Sequence, residues 1–237
     1  MDTVIVAGGG LAGCEAAWQL ARAGIPVKLA EMKPQRFSPA HKSPLLAELI
    51  CSNSLKAARI ESAAGLLKEE MSRLGSLLVP IAKRCAVPAG GALAVDRELF
   101  SQMVTEAVEA EPLITLERRE LDAIPEGPAV IATGPLTSDT LAREIEKLCG
   151  GGLSFFDAAA PIVTRESIDI ERCFTADRYG RGEGDGDYIN CPMNKPEYEA
   201  FLEALLTAER APLHGADVNS PKVYEGCMPI EVLASRG

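Results

Sequence analysis

Residues 1–31, MDTVIVAGGGLAGCEAAWQLARAGIPVKLAE, decide the fold. The stretch reads as a strand over Val4–Ala7, a glycine turn, a helix, and a second apolar run closed by Glu31. Gly8, Gly10 and Gly13 fit G-x-G-x-x-G, a spacing that between a strand and a helix marks a dinucleotide-binding unit. Gly8 permits the tight turn, Gly10 lets the backbone approach a pyrophosphate, and Gly13 lets the helix pack closely on the sheet. Gly9, Leu11 and Ala12 complete the turn, where the N–H groups of the helix start face the phosphates. Glu31 is placed to accept hydrogen bonds from a ribose. The expected fold class is α/β, Rossmann-like. The alternative, an ordinary glycine-rich turn, leaves the matching register of strand, helix and acid unexplained.

Of the 237 residues, 47% are hydrophobic and 24% charged, as in a soluble globular protein. No apolar run approaches a membrane span and the first residues lack a basic leader, so a cytoplasmic protein with no membrane partner is expected. A net charge of −10 counts against indiscriminate nucleic-acid binding but leaves room for a local basic patch. Lys28, Lys33, Arg36 and Lys42, set against Glu31 alone, form one candidate patch. Arg172, Arg178 and Arg181 lie among acids and read as a solvated loop. The seven cysteines include no C-x-x-C, and with two histidines no metal site is expected. Cys14 reads as a small packing residue, and Cys85, Cys149, Cys173 and Cys191 as core thiols.

Beyond Glu31, the segment MKPQRFSPAHKSP reads as a loop over the nucleotide region, with His41 as an acid/base group, a phosphate contact or a plain loop histidine. Leu66, Leu67, Met71 and Leu74 carry helical spacing. The segment ALAV followed by Asp96 predicts a strand and then a helix capped by that aspartate. LITLERREL and Ala129–Ala132 are strand candidates; the second runs into Thr133, Gly134 and Pro135, an A-T-G strand end placed to lie beside a cofactor. The plainer reading of Gly134 is a β-to-α turn. Thr137 or Ser138 is expected to cap the following helix and Gly150 to stop it. From Phe155 onward the pattern becomes short strands, a polar GRGEGDG loop and an amphipathic helix with Pro196 in its first turn. The expected organisation is a nucleotide-binding domain over 1–154 with an inserted α+β domain over 155–237.

Two cysteines lie in small, polar, turn-forming surroundings: Cys51 in ICSNSL and Cys227 in YEGCMPIE. Ser52, Asn53 and Ser54 add donors suited to an anion or a flavin edge. A thiol at a helix N-terminus becomes nucleophilic; a buried inert thiol is the competing reading for both.

GGGLAGCEAAWQLA, the PAH loop, CSNSL, VPAGGALAVDR, IATGPLTS, FFDAAAPIV, YINCPM and YEGCMPIE occur in this order. Together they resemble the folate- and FAD-dependent tRNA (uracil-5-)-methyltransferases along essentially the whole chain. The resemblance implies a glutathione-reductase-like FAD-binding domain interrupted by an insertion. It also implies transfer of a methylene from methylenetetrahydrofolate to C5 of the T-loop uridine at position 54 of tRNA, and its reduction to methyl with electrons from NADH or NADPH through FAD. A ribosomal RNA uridine stays open as a target. Cys227 would add to C6 of the uracil, and Cys51 would assist near the flavin, for instance in removing the C5 proton. Family members run longer, so an N-terminal part is expected, truncated within the second domain. Two other readings stand beside this one. A generic FAD-dependent oxidoreductase of the disulfide type would need closely spaced redox cysteines, and none is nearer in sequence than Cys173 and Cys191. The other is a non-catalytic fragment that binds flavin or tRNA.

Overall fold

The computed structural model describes residues 2–150, 163–177, 186–209 and 230–236. The chain forms two units, Met1–Gly152 and Leu153–Gly237.

The first unit opens with β1 (Val4–Ala7), α1 (Leu11–Arg22) and β2 (Val27–Ala30), as the opening motif predicts. Next come β3 (Ser54–Ala57), α2 (Ala63–Arg73), α3 (Leu78–Arg84), β4 (Ala86–Val87), β5 (Ala92–Val95) and α4 (Arg97–Ala110). It closes with β6 (Ile114–Glu117), β7 (Ala129–Ile131) and α5 (Asp139–Cys149). Four strands make a parallel sheet in the order β6-β2-β1-β7, and three make a small antiparallel sheet, β3-β5-β4. The parallel order reverses at β1, whose neighbours β2 and β7 lie on opposite sides. Ligands of such sheets sit at that switch point, beyond the carboxyl ends of the strands.

The core joins sheet and helices. Phe100, Val104 and Val108 recur every four residues along α4 and are fully buried, together with Val6, Leu29, Cys14 and Ala17. Asp96 caps α4, its carboxylate accepting from the Leu99 N–H at 3.0 Å. The polar face of α1 has a separate task. Glu15, one oxygen or the other, accepts from the Ser76 hydroxyl and from the Leu77 and Leu78 N–H groups at 2.8, 3.2 and 3.2 Å. Gln19 and Arg22 donate to the Gly75 carbonyl at 3.1 and 2.8 Å. Residues 15, 19 and 22 share one helix face, so α1 holds the corner between α2 and α3 through side chains alone.

Some sequence expectations are corrected. The apolar residues Leu66, Leu67 and Leu74 point outward, with Leu74 76% exposed, and the run breaks at Gly75 into two helices. No side chain caps α5: the Thr137 hydroxyl donates to the Gly134 carbonyl at 2.7 Å, and Ser138 bonds the Glu120 carboxylate. Gly150 does stop α5, in the left-handed conformation. Of the four thiols read as core, only Cys85 is buried; Cys149 and Cys191 are exposed and Cys173 is half-buried.

In the second unit, 3-10 turns at Arg165–Ser167 and Ile170–Arg172 precede β8 (Phe174–Ala176), which pairs antiparallel with β9 (Tyr188–Asn190). Then comes α6 (Lys195–Thr207), with Pro196 in its first turn and a capping box between Asn194 and Glu197. Most of FFDAAAPIV and of GRGEGDG lies outside the described residues, as do Arg178 and Arg181. Among the described residues no helix is long and apolar enough to cross a membrane.

Candidate functional site

Because the four sheet strands run parallel, the segments following β1, β2, β6 and β7 all emerge at one edge. They line a single cleft of about 260 Å³. Gly8, Gly9, Gly10, Leu11 and Ala12 come from the first turn, Glu31 and Lys33 from the end of β2, Arg119 and Glu120 from beyond β6, and Thr133 and Gly134 from beyond β7. The cysteine-bearing loop adds His41, Glu48 and Ile50.

The glycines of this turn differ in what a side chain would meet. Gly8 has φ +97°, and a Cβ there would stand 2.6 Å from the Ala132 carbonyl oxygen, where β7 ends. Gly13 sits behind the cleft rather than in its lining, and its missing Cβ would lie 1.7 Å from the Gly8 carbonyl oxygen. A side chain on Gly9 would strike Leu46 and the Glu31 carboxylate. At Gly10 the missing Cβ meets nothing within 4 Å, so the opening faces the cleft. The first intrahelical bond of α1 is Cys14 N–H to Gly10 carbonyl at 3.0 Å, and no side chain caps the helix. The N–H groups of Leu11, Ala12 and Gly13 thus present the positive end of a twelve-residue helix.

Glu31 is buried and already at work. One carboxylate oxygen accepts from the Gly9 N–H at 2.7 Å and the other from the Lys33 N–H at 2.9 Å. A carboxylate has about four acceptor positions, so capacity remains for a ribose hydroxyl while the turn itself is pinned.

The loop after β2 is folded onto the glycine turn by polar contacts that the sequence does not announce. Lys33 is 3% exposed, with its ammonium on the Leu45 carbonyl at 2.7 Å and on Glu48 at 3.0 Å. Burial pushes the Glu48 carboxyl up, but the Lys42 N–H, the Lys33 ammonium and the Ser43 N–H together hold it below its ordinary value. Ala47 N–H donates to the Gly9 carbonyl at 2.8 Å, and Leu46 N–H to the Thr105 hydroxyl at 2.9 Å. The expected basic patch is smaller than its composition suggests, though Lys42 is exposed. Lys33 is internal, Arg36 is spent on both oxygens of Glu120 at 2.9 and 2.8 Å, and Lys28 faces Glu117 at 3.5 Å.

His41 lines the cleft, its Nδ1 2.6 Å from the Ser38 hydroxyl. Burial, then the nearby Lys33 charge, lowers its pKa, so the ring is neutral at neutral pH. Gly134, at φ +70°, lies in the cleft wall. Cys51 is exposed and directly follows the cleft-lining Ile50. Of the donors expected around it, Asn53 is spent on the Val95 carbonyl at 3.0 Å, while the Ser52 hydroxyl accepts from Ser54 N–H and keeps its O–H to donate. Cys227 lies outside the described residues. Cys14 is inert, its thiol pushed up to about 12 by burial and then by the Glu31 charge. Among the described residues no cluster of three or more His, Cys, Asp or Glu could hold a metal.

The sequence reading took Lys33 for a surface charge and missed Glu48, Arg119 and Glu120. The last two had a signal. They follow the end of a parallel strand directly, where every such segment reaches the cleft. The Lys33–Glu48 clamp is a tertiary pairing with no local mark.

The chain is 58% identical to a Moorella thermoacetica protein named methylenetetrahydrofolate--tRNA-(uracil-5-)-methyltransferase TrmFO, over 100% of this chain and 54% of that protein. A Geobacter sulfurreducens protein of the same name is 56% identical over 99% of this chain and 54% of its own length. The chain thus spans about half the length of the curated relatives it matches. A solved structure of Aquifex aeolicus GidA aligns with TM-score 0.43 and 17% identity over 53% of this chain and 20% of that one, too loosely to add to the description. The family model described as glucose inhibited division protein A matches residues 3–237, and the chain belongs to that family.

Proposed function

We propose that this chain supplies the FAD cradle and the reactive thiols of a folate-dependent tRNA (uracil-5-)-methyltransferase. The observation that carries the reading is identity of 58% along the full chain to a relative of that name. The cleft supports it independently: an uncapped helix N-terminus, an opening at Gly10 that a Cβ would fill, and a buried acid at the end of β2 suit a dinucleotide. Leu11, Ala12 and Gly13 would donate to the pyrophosphate, Gly10 would let it approach, and Glu31 would accept from the ribose. Gly134, with the segment after β7, would border the rest of the cofactor. Bound FAD would supply the electrons that reduce the transferred carbon, with NADH or NADPH as the source and methylenetetrahydrofolate as the carbon donor.

C5 of uracil is a weak nucleophile until a thiolate adds to C6 and makes an enolate, which divides one difficult step into easier ones. Cys227 would take that role and Cys51 would accept the C5 proton. The substrate would be the T-loop uridine of tRNA, in the cytoplasm.

A chimera tests this directly. The matching half of the Moorella thermoacetica protein is replaced by this chain, and 5-methyluridine in unmodified tRNA is quantified after incubation with methylenetetrahydrofolate and NADPH. The expected result is product at position 54, abolished by Cys227→Ala. A folded, flavin-loaded chimera that makes no 5-methyluridine would overturn the assignment.

A further inference from the structure

Cys173 and Cys191, 18 positions apart, meet with their sulfurs 3.4 Å from each other. The meeting follows from strand register. The β8–β9 ladder pairs Phe174 with Asn190 and Thr175 with Ile189, so one step further sets Cys173 opposite Cys191. Directly opposed residues of antiparallel strands have Cα atoms about 4.5–5.5 Å apart, inside the window of roughly 4.4–6.8 Å that a disulfide spans. The Cys173 thiol is steadied by donating to the Asp169 carbonyl at 3.2 Å. Cys191 is exposed and Cys173 half-buried, so a small reagent reaches the pair. Among the described residues no third ligand joins them to make a metal site. The turn Ile170–Arg172 immediately precedes one cysteine, and Asn194, the cap of α6, follows the other by three residues.

We propose that Cys173 and Cys191 are a thiol–disulfide exchange site, oxidised reversibly by low-molecular-weight disulfides to a cross-strand bond that ties the Ile170–Arg172 turn to the start of α6. The electrons balance through two exchanges. One cysteine thiolate attacks the small disulfide, breaks its S–S bond and releases one small thiol, leaving a mixed disulfide. The second cysteine gives its proton to solvent, attacks the protein sulfur of that mixed disulfide and releases the second small thiol. Two protein thiols are oxidised and one small disulfide is reduced to two thiols; excess small thiol reverses both steps. Reversible bonds of this kind belong to redox-responsive rather than structural cysteines in reducing compartments.

The test treats the whole chain with glutathione at about 1 mM total, a concentration that effective molarities of adjacent groups match or exceed. The oxidised share is raised until Cys149, exposed at the end of α5, carries glutathione. After denaturation, alkylation and trypsin digestion, the Cys173–Arg178 peptide should appear joined to the Gly182–Arg210 peptide. The joined form should exceed the separate glutathione adducts of these two cysteines by about tenfold or more. Cys191→Ser should convert Cys173 to a glutathione adduct, and oxidation of the parent chain should slow hydrogen exchange across Phe174–Ala176 and Tyr188–Asn190. Separate adducts on Cys173 and Cys191, or alkylated thiols at both while Cys149 is modified, would overturn the proposal.

Discussion

Gly13→Ala and Gly10→Ala separate the two demands on the opening turn, packing and ligand approach. At Gly13 the new Cβ would stand 1.7 Å from the Gly8 carbonyl oxygen. Restoring an ordinary C···O contact moves α1 and the turn apart by roughly 1.5 Å. Both partners are backbone, so no rotamer change absorbs the clash. Overpacking of this kind costs about 1–3 kcal/mol, toward the upper end here. Replacing glycine by alanine within a helix returns about 1 kcal/mol. A net loss of about 2 kcal/mol corresponds to a melting point lower by roughly 4–8 °C in a protein of this size. Gly10 has φ −75° and ψ −172°, a conformation any residue adopts, and its Cβ would touch nothing within 4 Å. Gly10→Ala should therefore leave the melting point of the ligand-free protein within about 2 °C of the parent's, since cap exchange and chain entropy nearly cancel. Its methyl would instead occupy the path of the pyrophosphate. Losing one charge-assisted N–H bond, about 1.5–3 kcal/mol, weakens FAD binding by roughly ten- to a hundredfold. Differential scanning fluorimetry of the ligand-free variants and titration of flavin fluorescence read the two quantities separately. Parent-like FAD affinity in Gly10→Ala would refute the assigned approach path, and a parent-like melting point in Gly13→Ala would refute the packing argument.

Two further outcomes follow from polar contacts away from the glycines. Glu15→Ala strips an acceptor from the Ser76 hydroxyl and from two N–H groups at the start of α3. It should cost about 2 kcal/mol of stability in urea unfolding, whereas Glu15→Gln, which keeps an acceptor oxygen, should lose less. Acidification should destabilise the protein in two stages. His41 has a folded pKa below its ordinary 6.5, so the unfolded chain takes up that proton first and stability falls as pH drops below 6.5. Glu48 has a folded pKa below its ordinary 4.5, so its contribution is present above 4.5 and is lost as pH falls through the folded value. Melting curves from pH 7 to pH 3 should lose the upper stage in His41→Asn and show a smaller lower stage in Glu48→Gln, because Glu117 and Glu120, also held below their ordinary value by basic partners, share that range; unchanged profiles in both would remove these groups from the acid transition.

Features whose cause is local were legible in the sequence, and features made by distant partners were not. Gly8 and Gly13 announce themselves because backbone conformation and close approach penalise any side chain there, and Asp96 and Gly150 punctuate helices by chemistry within a few positions. Apolar spacing located α2 but not its orientation: the spacing that made it look amphipathic turns Leu66, Leu67 and Leu74 toward solvent within this chain. The charges between Lys28 and Lys42 looked like a basic surface because their partners, Glu48, Glu117 and Glu120, lie outside the stretch, two of them far along the chain. Once those partners are counted, Lys33 belongs to a clamp that folds the loop onto Gly9, while Lys28, Arg36 and Lys42 stay at the surface. The cysteines carry the same lesson in reverse. A spacing of 18 residues argued against dithiol chemistry, yet an antiparallel register sets Cys173 and Cys191 opposite each other. Separation along a chain limits contact only until a hairpin closes it, so redox pairs are better sought at positions whose numbers share a sum with a strand ladder than at a fixed spacing.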